Sequence, residues 1–124
     1  MRAIQPFPLA IPGTATLTIV LFRATRPGRL KAAAWVQTGA VDGTKTVKVQ
    51  NLTLGIDLTA ALAINGIAAN GGADLVLANP YTGWRKGDVV ALVYTVTVAG
   101  AVAPGQSTVE LETQHGVSGE VKDP

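Results

Sequence analysis

No cysteine occurs in this chain, which excludes disulfides and thiolate metal sites at once. Histidine occurs once, at His115, too few for the imidazole clusters that hold transition metals. Aromatic residues are scarce, two each of Trp, Tyr and Phe, so a core has to come from Val, Leu, Ile and Ala. Charge is sparse as well: 15% of residues, with a formal net of +2. The bases form no dense stripe interleaved with aromatics, so nucleic acid is not an expected partner. No run approaches the roughly 18 apolar residues needed to span a bilayer. Prolines break the apolar N-terminus before it reaches the length of a secretory leader. The expectation is a soluble chain made without export, with neither membrane nor cofactor.

What is present is β-pattern. The 124 residues are 48% hydrophobic and hold Gly 14 and Pro 7, one domain's worth of chain cut by many turns. Thr14 to Leu21 alternates, with Ala15, Leu17, Ile19 and Leu21 on one face. Residues 30–38 (LKAAAWVQT) form a second strand, and GAVDG at 39–43 a turn whose Asp42-Gly43 pair tolerates positive φ. Residues 44–50 then alternate and are expected to pair back on 30–38 as a hairpin. Strands are expected at 51–54, 58–64 and 73–78, with turns at the Asn-Gly pairs 65–66 and 70–71. A short helix capped by Asp57 is the other reading of 58–64. Residues 88–100 are apolar on both faces, as a central strand should be, and 107–115 puts Val109 and Leu111 in, Glu110 and Glu112 out. The expected fold is all-β: an antiparallel two-sheet β-sandwich, Ig-like or jelly-roll-like, over residues 14–115, followed by a frayed tail at 116–124.

The first thirteen residues, MRAIQPFPLAIPG, read as an extended N-terminal arm. Ile4, Phe7, Leu9 and Ile11 are large and apolar, while Pro6, Pro8 and Pro12 remove ladder donors. The expectation is a segment without a partner in its own fold, mobile alone and ordered on a capsid or on a neighbouring subunit. Its deletion is expected to leave the sandwich folded.

Sites for chemistry are thin. GAVDGTKT lacks the spacing of a phosphate loop. Ser107 lies outside a nucleophile elbow, and His115 reads as an exposed strand end. Glu110 and Glu112 share a face about 7 Å apart, the habit of a solvent-facing strand. Asp57 and Asp74 have no calcium-loop spacing, and Asn51-Leu52-Thr53 means little as a glycan acceptor without export. No catalytic residue and no metal ligand is expected. Arg23, Arg26, Arg29 and Lys31 read as a solvated turn, with contact to an acidic protein surface as the other reading. In NPYTGWRKGD (79–88), Tyr81, Trp84 and Arg85 are a possible glycan platform. The structural reading has Trp84 closing one end of the sandwich while Gly87-Asp88 turns the chain into its central strand.

The order ATRPGRLKAAAWVQTGAVDGTKTVKVQNLTLGIDL, a glycine-rich middle, then WRKGDVVALVYTVTVAGAVAPGQSTVELE resembles tailed-bacteriophage virion proteins that decorate the capsid or form head fibres. The likeness covers about residues 23–113. It implies a non-enzymatic structural protein on the outer surface of the capsid, made in the host cytoplasm, with the major capsid protein and copies of itself (a homotrimer) as partners. Similar sandwiches occur as tail or baseplate components and as carbohydrate-binding modules, and those are the alternatives.

Overall fold

In the computed structural model, which describes residues 2–11, 16–78, 83–98 and 105–115, strands build two antiparallel sheets packed face to face. One sheet has the order β1 (Arg2–Ile11), β10 (Gly105–His115), β3 (Gly28–Gln37), β7 (Gly71–Leu75), with β8 (Gly83–Trp84) also on β3. The other has β2 (Leu17–Arg23), β9 (Val89–Val98), β4 (Thr44–Asn51), β5 (Ile56–Asp57), with β6 (Leu62–Ala63) also on β4. The first strand pairs with the last and the second with the last but one, a long ribbon rolled over itself. Of the two sandwich types expected, this strand order is that of a jelly roll.

Hydrophobic alternation explains each layer. Val109 and Leu111 of β10, Trp35 of β3, Val47 and Val49 of β4, and Val90, Leu92 and Tyr94 of β9 meet in one fully buried core. β9 is central, between β2 and β4, and even its outward Ala91 is covered. In β2 the ladder slips between Val20 and Phe22, a bulge that lets both Leu21 and Phe22 pack against the core. Ala15 lies outside the described residues.

Three expectations are corrected. β3 and β4 are not a hairpin but lie in different sheets. Gly43 takes the positive φ expected of it, +71°, yet this turn hands the chain across the core. Turn chemistry fixes a reversal, not a partner, and β4 takes β9 because Val47 and Val49 sit beside Tyr94 and Leu92. Residues 52–55 are a turn rather than a strand, held by Leu54 N–H donating to Asn51 Oδ1 at 3.1 Å. The stretch 58–64 is neither helix nor continuous strand. It trails along β4 in pieces, with Leu58 N–H donating to the Val49 carbonyl and Ile64 N–H to that of Lys45.

The N-terminal segment is the largest correction. Residues 2–11 are β1, the edge strand of their sheet, in unbroken register with β10 from Arg2↔Gln114 to Ile11↔Gly105. The prolines permit this because Pro6 and Pro8 are two residues apart. In an antiparallel ladder alternate residues point their N–H groups at the partner, so both missing donors fall on the open edge. Phe7 and Leu9 pack against the core while Ile4 is 68% exposed on the outer face. An arm free of its own fold is therefore not what these residues form.

Candidate functional site

The loop joining β8 to β9 builds one end of the sandwich from a few hydrogen bonds. Gly87 has φ +94°, a left-handed conformation that favours glycine. The Asp88 carboxylate accepts from Arg85 N–H (2.8 Å) and from Asn51 Nδ2 (3.0 Å). Asn51 also donates to the Gly83 carbonyl at 3.2 Å, tying β4 to β8. Ala24 N–H donates to the Asp88 carbonyl and Gly87 N–H to that of Ala24, which fixes the turn after β2 against the same loop. The structural reading of this motif holds: Trp84 is completely buried, its ring edge-on to Phe22 at 5.2 Å.

Between that loop and the β1 edge lies a cleft of about 270 Å³. Its floor is Phe22, Ala24 and Trp84, its far wall Gln5 and Thr113, and its rim Arg23, Thr25 and Arg26. Phe22 is stacked on Phe7 at 5.8 Å as well as meeting Trp84, so both rings of the floor are already engaged with other aromatics. Neither the Arg23 nor the Arg26 guanidinium forms a hydrogen bond or ion pair among the described residues. A pocket with an apolar floor and two unpaired guanidiniums on its rim suits a carboxylate carried on a short aliphatic stem.

The expected site residues are scattered. Of the arm set, Ile4 faces outward, Phe7 and Leu9 face the core, and Ile11 is placed by its backbone pairing with Gly105. Of the glycan set, Tyr81 lies outside the described residues, Arg85 is exposed, and Trp84 is sealed in the core with no face for a sugar. Lys45, the lysine of GAVDGTKT, points inward and donates to the Asp42 carbonyl at 2.6 Å and its carboxylate at 3.3 Å. Asp57 and Asp74 sit in different sheets, Asp57 pairing with Lys48 at 3.0 Å. No cluster of metal-ligating residues occurs among the described residues. The cleft itself was signalled in sequence only by the bases at 23 and 26. Gln5 and Thr113 belong to the first and last strands, and no local pattern joins them. Comparison with known protein families and with curated protein sequences finds no match to this chain.

Proposed function

We propose that this chain is a structural, non-enzymatic virion protein that binds the outer surface of a tailed-phage capsid and reinforces it as a homotrimer. The observation that supports this reading is the outer face of the β2 sheet. Thr18, Val93 and Lys48 lie in one cross-strand row, Val20, Ala91 and Gln50 in the next, and Thr95 beside Thr46. Val20 is 60% exposed. The row's lysine is neutralised by Asp57, which also accepts from Gln50 at 3.1 Å. A face rich in Thr and Val, whose one lysine is paired, fits a lattice surface better than water. The jelly roll adds support only by analogy with capsid domains of the same architecture. Attachment through this face replaces attachment through a free arm.

The test is binding of purified full-length protein to bare phage heads and to tails separated from them, with its position read from a density map of the intact particle. Density on the outside of the shell, with head binding lost in Val20→Asp plus Val93→Asp, is the expected result. Density on the tail or baseplate, or heads left unbound by the parent protein, overturns it.

A further inference from the structure

Among the described residues, two clusters of charged side chains of opposite sign form no ion pair or hydrogen bond. One is the guanidinium pair of Arg23 and Arg26 on the rim of the cleft. The other lies on the outer face of the β1 sheet, where Glu110 and Asp74 flank Ala34 in one cross-strand row and Glu112 adjoins Ala32 in the next. These carboxylates and Ile4 border a trough of about 240 Å³ whose floor is alanine. Asp74, Glu110 and Glu112 form no hydrogen bond or ion pair among the described residues. Arg29, a base nearby on the same face, is engaged with Gln114 at 3.4 Å.

We propose that the cleft receives the acidic face of a second copy of this chain, so that copies join head to tail. The cleft carries the argument: it is concave, floored by Phe22, Ala24 and Trp84, and offers two planar guanidiniums of the kind that bind carboxylates bidentately. Glutamate supplies both the carboxylate and the two methylenes that the floor would cover. A sugar is disfavoured because Trp84 is fully buried and Phe22 is already stacked on Phe7. Ile4 borders the trough and its neighbour Gln5 lines the cleft, so the two patches meet at the β1 edge rather than at opposite poles. Contacts between unlike patches set at an angle turn as they repeat, giving a ring where the rotation closes and a helical filament where it does not. The inference rests on the self-association included in the proposed function, and it leaves the β2-sheet face free for the shell.

The experiment is sedimentation velocity on the full-length protein, with melting temperature as the folding control. The parent protein is expected to associate, and its association to weaken roughly tenfold or more between low and high salt, as screened charges require. Arg23→Glu plus Arg26→Glu is expected to be monomeric, as is Glu110→Lys plus Glu112→Lys. Mixed one to one, the two variants regain association, in alternating assemblies of even number, because each reversed patch meets its complement only on the other variant. If a reversal lowers the melting temperature, Arg26→Gln and Glu110→Gln replace it and are expected to weaken association at least severalfold. A parent protein that is monomeric, or association indifferent to both reversals, overturns the proposal. Binding of the monomeric variants to bare heads is measured alongside. Head binding without self-association removes this inference and the homotrimer while leaving attachment to the capsid, and self-association without head binding removes only the capsid reading.

Discussion

Tyr94 carries its hydroxyl into the core, where no hydrogen-bond partner meets it among the described residues. Burial raises its pKa above the ordinary 10.0, because the phenolate would lose its hydration. The sign of the consequence follows by linkage. Below pH 10 the phenol is protonated in both states and stability is unaffected. Above it the unfolded chain releases a proton that the folded chain keeps, so stability falls as pH rises. Tyr94→Phe removes an unsatisfied buried group and should stabilise by about 1 kcal/mol. Urea melts from pH 8 to 11 should show that gain together with a shallower alkaline decline, and an unchanged slope would refute the assignment. Lys45 shows how far alternation can be read at this scale. The pattern puts it with Val47 and Val49, and it is indeed buried. Its four-carbon stem crosses the core edge so that the amine reaches the Asp42 carbonyl, a route that residue type alone does not disclose.

At the scale of elements, β9 and β10 were legible because one is apolar on both faces over a long run and the other alternates cleanly, and neither signal needs information about neighbours. β1 was not. Its prolines count against a strand when they are tallied and in favour of an edge strand when their spacing is considered. They also protect that edge, since the positions that would offer N–H groups to another chain at 6 and 8 offer none. Pro6→Thr plus Pro8→Thr should therefore keep the β1–β10 pairing yet raise association beyond the parent's. Light scattering at matched concentration, with circular dichroism to confirm retained β-structure, checks this. A double variant as monodisperse as the parent would count against edge protection. The mistaken hairpin between β3 and β4 has a different origin. Asp42-Gly43 signals a reversal correctly, but the choice of sheet is made by β9, fifty residues downstream at Leu92 and Tyr94.

Across the whole molecule the two long sides of the sandwich are closed differently. On the β5–β7 side the backbone itself bridges the sheets: Thr59 pairs with Leu77, Ala60 N–H donates to the Val76 carbonyl, and Ala78 N–H to that of Leu58. On the β1–β2 side, among the described residues, the closure is the Phe7–Phe22 ring stack. The bonded seam should open rarely and the stacked one often. Hydrogen exchange should find the amides of Ala60 and Ala78 protected roughly tenfold or more beyond those of Gln5 and Phe7, since edge strands fray first. Equal protection on both sides would show that side-chain stacking closes the β1–β2 side as firmly as hydrogen bonds do. The candidate cleft lies on the looser side, and none of this was legible in sequence because both seams join residues distant along the chain.

The pairing of the first strand with the last has a consequence for the order of events on the ribosome. β1 leaves the exit tunnel first and β10 last, and β2 must likewise wait for β9. Neither sheet can be completed before its late strand has emerged, so the apolar stretch from Leu17 to Phe22 stays without its permanent neighbour until β9 has been made. Such long-range pairing slows folding and prolongs exposure of adhesive segments. Pro6 and Pro8 are then useful before β10 arrives, keeping the waiting β1 segment from pairing with the nascent chains of neighbouring ribosomes.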